Sequence, residues 1–196
     1  MPRRKGPVDQ DKIRQSLLEA AENMVQAEGP ATLTTRKLAE AIGYSLGHIY
    51  NLFPDLSHLV LAVNGRTLDR LREKLGAAQG PQRLEQLALI YLRFTAENAN
   101  LWQLVLGHRL TPGADLPESY RAKISALPAL VKEALHELAP HLSEADMKRD
   151  VALLWASLHG LGTLSLSHRL DMIDAPSAES LAQRLIQQYR QSLNTR

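Results

Sequence analysis

Leucine and alanine recur along most of this 196-residue chain at intervals of three and four, and no stretch alternates apolar with polar residues strongly enough to form a strand. That period confines the chain to helices. Aromatic residues make up only 5%, which favours helix over strand further. The punctuation is equally plain: Gly29-Pro30, Gly80-Pro81 and the turn-rich LTPGADLP at 110–117. Between these breaks the spacing predicts helices over 9–27, 55–78, 84–97, 101–109, 118–138, 143–168 and 177–193, with two shorter pieces inside 33–53. Pro128 falls within the helix at 118–138, where a missing N–H implies a kink or a break. Residues 151–166 are apolar nearly all round and are expected to be central and buried. The fold class is all-α.

Several kinds of function drop out early. There is no cysteine, so disulfide frameworks and Cys-rich zinc sites are excluded. MPRRKGPVDQ carries no apolar signal segment, and no apolar run approaches a membrane span, so a cytoplasmic protein with no membrane partner is expected. His136 and His141 flank Pro140 and do not form an i, i+4 metal pair. Ser157 and His159 lack the glycine-flanked elbow of a nucleophile and a third orienting group. No glycine loop for phosphate appears. No metal, no cofactor and no enzymatic activity are expected; a small helical enzyme using His159 is the remote alternative. The net charge of +2 says little, because residues 1–60 hold seven Lys/Arg against seven Asp/Glu. One cluster, Arg3, Arg4 and Lys5, is followed by Gly6-Pro7 and has the form of a flexible basic arm.

The stretch LTTRKLAEAIGYSLGHIYNLF, from residue 33 to 53, is unusual for its second half. Thr34 can cap a helix starting at Thr35, Leu38, Ala39 and Ile42 give it a buried stripe, and Gly43 permits the left-handed end. Ser45 can cap a second, shorter helix anchored by Ile49 and Phe53. Two helices joined by a short glycine-containing turn make a helix-turn-helix, or else an ordinary helical hairpin. No Lys, Arg, Asp or Glu occurs from Gly43 to Phe53. A helix that enters the major groove with its N-terminal end toward base edges needs compact, hydrogen-bonding tips there. Ser45, Gly47, His48, Tyr50 and Asn51 fit that demand.

With Thr34, Leu38-Ala39, Gly43, Ser45, Gly47, Tyr50 and Phe53 in this order, followed by PDLSHLVLAV, the first 60 residues resemble the DNA-binding domain of the tetracycline-repressor (TetR) family. LWASLHGLG, with Trp155, His159 and Gly160, resembles the Trp-His-Gly signature of one class of the family's C-terminal domains. The resemblance implies a homodimeric transcription regulator, usually a repressor, that binds a palindromic double-stranded operator and is released by a small molecule. It places Thr34, Thr35 and Arg36 at the DNA from the first helix of the motif. Leu46, Gly47 and His48 would face base edges, Tyr50 a phosphate, and Ser45 and Asn51 belong to the same surface, with Arg3, Arg4 and Lys5 as the arm. Three positions depart from the family pattern. Leu46 replaces a frequent polar reader, Leu52 a phosphate-binding His and Leu56 a Lys. These departures motivate a second reading, a helical interaction protein with weak or lost DNA binding; alternatively Leu46 packs on a thymine methyl.

The expected organisation is a three-helix DNA-binding domain at 1–54, a connecting helix at 55–79 and a helical ligand-binding and dimerisation bundle at 80–196. An apolar pocket in the bundle is expected to use Phe94, Trp102, Leu106, Tyr120, Ile124, Leu127 and Trp155, with His159 as a polar contact for an unidentified effector. Leu158, Leu161, Gly162, Leu185 and Tyr189 are the expected dimer contacts.

Overall fold

The computed structural model describes residues 10–107 and 116–193. Arg3, Arg4 and Lys5 lie outside the described residues, as does most of the turn-rich segment at 110–117. Among the described residues there are nine α-helices and no strand: α1 (Gln10–Glu28), α2 (Thr35–Ile42), α3 (Leu46–Leu52), α4 (Leu56–Leu75), α5 (Arg83–Glu97), α6 (Ala99–Gly107), α7 (Glu118–Leu138), α8 (Glu144–Leu166) and α9 (Ala178–Leu193). Single 3-10 turns stand at Pro30–Thr32 and Asp171–Ile173. None of these helices is long and apolar enough to cross a membrane.

The chain divides into two compact units. The first comprises Met1–Thr67 and Asn100–Asp115. Its core takes Leu17, Ala21 and Val25 from α1, Leu38 from α2, Ile49 from α3 and Leu59 and Val63 from α4. α6 completes it with Leu101 and Leu104. Two side-chain amides tie α6 in: the buried Asn64 Nδ2 donates to the Leu104 carbonyl at 3.3 Å, and Asn100 Nδ2, nearer the surface, to that of Gln26 at 3.0 Å. Glu22 is buried on α1 and pairs with Arg66 Nε at 3.0 Å; Arg66 also donates to Gln15 Oε1. The division therefore differs from the boundaries expected at 54/55 and 79/80. It falls inside α4, after Thr67, and returns α6 to the first unit, because two α6 leucines finish that core.

The motif geometry in this unit follows from three short-range devices. Thr34 Oγ1 accepts from the Lys37 N–H at 3.2 Å and so caps α2. α2 ends on Gly43 in the left-handed region (φ 70°, ψ 30°). There the Tyr44 N–H reaches the Ala39 carbonyl at 3.1 Å and the Gly43 N–H that of Glu40 at 3.3 Å, the paired bonds of a Schellman end. Ser45 is extended, and its Oγ accepts from the His48 N–H at 3.4 Å to open α3.

The second unit comprises Leu68–Ala99 and Leu116–Arg196. α5 lies at its centre, in contact with α7, α8 and α9. Gly162 on α8 faces α5: a Cβ there would sit 3.4 Å from Tyr91 Cε1 and 3.5 Å from Leu92 Cδ2. Asp150, buried on α8, accepts from the Tyr189 hydroxyl of α9 at 2.9 Å. Arg83 at the start of α5 holds Glu133 at 2.8 Å, and also Glu137, on α7. Ser143 caps α8 by accepting from the Asp146 N–H at 3.1 Å, as its spacing predicts.

Of the kink or break expected at Pro128, the break does not occur: α7 runs unbroken through it. Ile124, whose carbonyl loses its helical donor, stands on the exposed side, where water can serve it. α8 is not buried all round either. Leu154 and Leu158 point inward, but Leu153 is 55% exposed and Leu164 38%. Neighbouring helices of the same chain cover only one of its apolar faces.

The Gly43 turn gives a clean test. A Cβ there meets nothing within 4 Å, so the cost of a side chain is conformational alone. Gly43→Ala should destabilise the first unit by about 1 kcal/mol, and Gly43→Asn by less, measured by chemical denaturation.

Candidate functional site

The second helix of the motif presents two unlike faces. Ile49 and the following Phe53 are each 2% exposed and fill the core. On the opposite side Leu46 and Tyr50, four residues apart, are 43% and 50% exposed, and Gly47 and Asn51, again four apart, are exposed beside them. Thr34, at the N-cap, is exposed, and Thr35 is half-buried. Arg36 projects from α2 into solvent and pairs with Glu40 at 3.3 Å. That pair is loose enough to exchange for a phosphate or a base. Lys37 reaches Glu28 at 3.5 Å. His48 is half-buried because its ring lies over Tyr44, with centroids 5.0 Å apart. Thus the expected DNA-facing residues from Thr34 to Asn51 all belong to α2, α3 or their caps, and most of them meet solvent.

The three leucines that depart from the family pattern behave differently. Leu52 and Leu56 are partly buried and pack on the core of the first unit. Leu52 also supplies its carbonyl to Arg14 Nη1 at 3.0 Å, and the same guanidinium stacks 4.1 Å above the Phe53 ring. α4 opens on another cap: Asp55 Oδ1 accepts from the His58 N–H at 2.9 Å and meets His58 Nδ1 at 2.9 Å. The hydrogen bond from the His58 side chain holds the Asp55 carboxyl below its ordinary range. Leu46 alone of the three turns outward.

In the second unit the expected pocket residues scatter. Leu127 and Trp155 line a small cavity with Leu75, Leu87, Tyr91, Val131 and Leu158. About 10 Å³ is free in it, scarcely room for one water molecule. Phe94 and Tyr120 are buried, with Lys74 Nζ 5.7 Å from the Phe94 ring centre. Ile124 is 41% exposed. Trp102 and Leu106 belong to the first unit; Trp102 is buried and Leu106 is exposed. His159 Nδ1 lies 2.9 Å from the Tyr91 hydroxyl, and its ring stacks with Trp155 at 6.3 Å and 24°. Leu75, Leu87, Val131, Leu158 and Tyr91 line the cavity without having been expected there, and of these only Tyr91 carries a polar group. The signal was a phenol in the apolar run LALIYLRF, since a buried hydroxyl needs a partner.

Residues 17–63 match the family of bacterial regulatory proteins described as tetR, and residues 84–189 match the tetracyclin repressor-like C-terminal domain. The chain belongs to the TetR family. As a member it is a DNA-binding transcription regulator and not an enzyme. The C-terminal match includes Trp155, His159 and Gly160. Solved structures share the fold. A protein of unknown function from Rhodococcus sp. RHA1 is 23% identical, with 97% of each chain covered and a TM-score of 0.74. A tetR-family transcriptional regulator from Streptomyces coelicolor is 19% identical over 96% of this chain and 82% of its own, with a TM-score of 0.69. A TetR transcriptional regulator from Rhodococcus sp. RHA1 is 22% identical over 90% and 94%, with a TM-score of 0.64. No curated protein matched.

Of the dimer contacts expected for this TetR-family chain, three are committed within the chain itself. Leu158 lines the cavity, Gly162 lies against α5, and Tyr189 donates to Asp150. Leu161 and Leu185 are half-buried and retain apolar area toward solvent. Leu153 and Leu164 add to that surface, although periodicity alone does not mark them.

Burial also sets the charge state of the Trp-His-Gly histidine. Removal from water pushes the His159 imidazole below its usual pKa, so the fold favours the neutral ring. The unfolded chain then takes up this proton first as pH falls. The resulting contribution to stability is complete above the ordinary value of 6.5 and is lost as pH drops from there through the lowered folded value. The thermal midpoint should therefore fall as pH drops below about 6.5, and should fall less in His159→Gln.

Proposed function

We propose that the chain is a homodimeric repressor in the cytoplasm that binds a palindromic operator through α2 and α3 and is released by a small molecule held in the second unit. The observation that carries the reading is the outward face of α3. A capped, charge-free helix, anchored by Ile49 and Phe53, leaves Leu46, Gly47, Tyr50 and Asn51 free for base edges and backbone. Arg36 stands beside it with an ion pair weak enough to give up. The proposed DNA-facing set keeps Thr34, Thr35, Ser45 and His48, with Arg3, Arg4 and Lys5 as a basic arm. The inward packing of Leu52 and Leu56 supports DNA binding over the interaction-protein reading, because both departures have a structural reason that leaves the outer face intact.

The homodimer is supported by the face of α8 that its own chain leaves uncovered. Leu153, Leu161 and Leu164, with Leu185 on α9, give apolar area that a symmetry mate would bury. Two half-sites would then lie roughly 34–36 Å apart, or a multiple of that. The effector site is the Tyr91–Trp155–His159 region, with walls from Leu127 and Leu87. It is closed as it stands, so an effector has to open it.

Gel shifts against the chain's own promoter region, in a salt series, test the DNA reading. Arg36→Ala should cost about 1–3 kcal/mol on the selected site if it contacts a base. Tyr50→Phe should weaken all sequences alike. Removal of residues 1–6 should flatten the salt dependence, and an unchanged slope would rule out the arm. For the dimer, Leu164→Glu and Leu153→Glu should give monomers by sedimentation and weak operator binding. A wild-type chain that is monomeric at micromolar concentration yet binds tightly contradicts it.

A further inference from the structure

Three of the nine large apolar residues that stand exposed among the described residues fall between 44 and 50: Tyr44, Leu46 and Tyr50. Two have evident occupations. Tyr44 supports the His48 ring, and Tyr50 carries a hydroxyl for a phosphate. Leu46 has neither. Its isobutyl group is 43% exposed, it is not among the residues packed on the core of the first unit, and it has no polar atom. The other two leucines that replace polar residues of the family pattern are explained by inward packing. Leu46 is the one whose apolar surface remains uncovered.

The chemistry of its surroundings narrows what covers it. No Lys or Arg occurs from Gly43 to Phe53, so α3 itself offers neither for the bidentate contact that reads guanine. Ser45 Oγ is taken up as an acceptor by the His48 N–H. His48 is held against Tyr44. The exposed Asn51 offers an amide one turn further along, but at the N-terminal end of α3, next to Gly47, where no side chain keeps a partner at a distance, the side chain presented is the hydrocarbon of Leu46. Among the four bases only thymine displays hydrocarbon in the major groove, its C5-methyl group.

We propose that Leu46 is a specificity-determining residue of this regulator, which selects thymine in each half-site by packing on the C5-methyl group. The inference rests on the placement of α3 in the major groove. Leu46 reads presence or absence of a methyl, and the preference is for T·A at one position of each half-site.

The test starts with selection of binding sites from a randomised duplex by the full chain. A thymine should emerge at one fixed position in each half-site. That thymine is then replaced by deoxyuridine, which removes the methyl and nothing else. Loss of one buried methyl should weaken binding about fourfold for each half-site changed. Leu46→Ala should bind the thymine and uracil duplexes equally, and Leu46→Met, which keeps an apolar contact, should restore the preference. Both variants change an exposed side chain, and unaltered thermal unfolding will show that the fold is kept. If uracil binds as tightly as thymine at every selected thymine, or if Leu46→Ala keeps the full thymine preference, the proposal fails while the placement of α3 stands. If Leu46→Ala, Tyr50→Phe and Arg36→Ala all leave a selected site bound as by the wild type, that placement fails and the proposal with it.

Discussion

Seven residues of helix do not hold together in water, because the cost of nucleating the first turn exceeds what so few bonds return. α3 exists because Ile49 and the adjoining Phe53 are drawn into the core among Leu17, Leu38, Leu59 and Val63. Everything the reading head does depends on that anchoring. It fixes which face of α3 is left for DNA, and the caps at Ser45 and Gly43 then set where the helix starts. Arg14 adds a tie from α1 by donating to the Leu52 carbonyl, one of those the end of α3 leaves without a helical donor, and stacking on Phe53. The Arg14 cation thus closes the C-terminal end of α3. The outer face then keeps no charge of its own, and affinity has to come from the flanks.

The second unit solves a different problem with the same residue types. α8 carries apolar residues on more sides than its own chain can cover. One side is fully used: Gly162 lets α5 come close enough for Tyr91 and Leu92 to touch the α8 backbone region, and Asp150 accepts from Tyr189 on α9. A buried carboxylate with a phenol partner also orients α8 against α9, since hydrocarbon contacts alone tolerate sliding. The uncovered side, with Leu153 and Leu164, is the reason to look for a second copy.

How much of this was legible before the structure depends on the range of the interaction. Thr34, Gly43, Ser45 and Ser143 act within four residues of themselves, and the sequence spacing located all of them correctly. The all-α class is of the same kind, since the three-and-four period is local. What was not legible rests on partners far away in the chain. Nothing near residue 101 says that α6 completes the first unit; that follows from Leu101 and Leu104 meeting α1 and α4 residues. Pro128 looked disruptive because its effect depends on which side of α7 meets water. Tyr91 and His159 are 68 positions apart. For 151–166 the pattern was read correctly and its consequence wrongly: apolar on all sides means wanting cover on all sides, which one chain need not supply.

That distinction bears on how the regulator is switched. A cavity of about 10 Å³ means that the Trp155–His159–Tyr91 cluster is satisfied without an effector. Under the proposed switch an effector would have to displace packed side chains and offset the contacts they lose, so its net affinity would be its contact energy less that opening cost. The cost is useful. An effector with equal affinity for the two states shifts no population. A pocket that opens only when the helices around it move makes the affinity depend on the state of the fold. α4 takes part in both units, with Leu59 and Val63 in the first core and Leu75 at the cavity wall. Moving Leu75 aside is therefore a displacement of the same helix that supports α3. If opening the cavity moves α4, linkage requires that an operator which holds α4 in place raise the opening cost by the same amount.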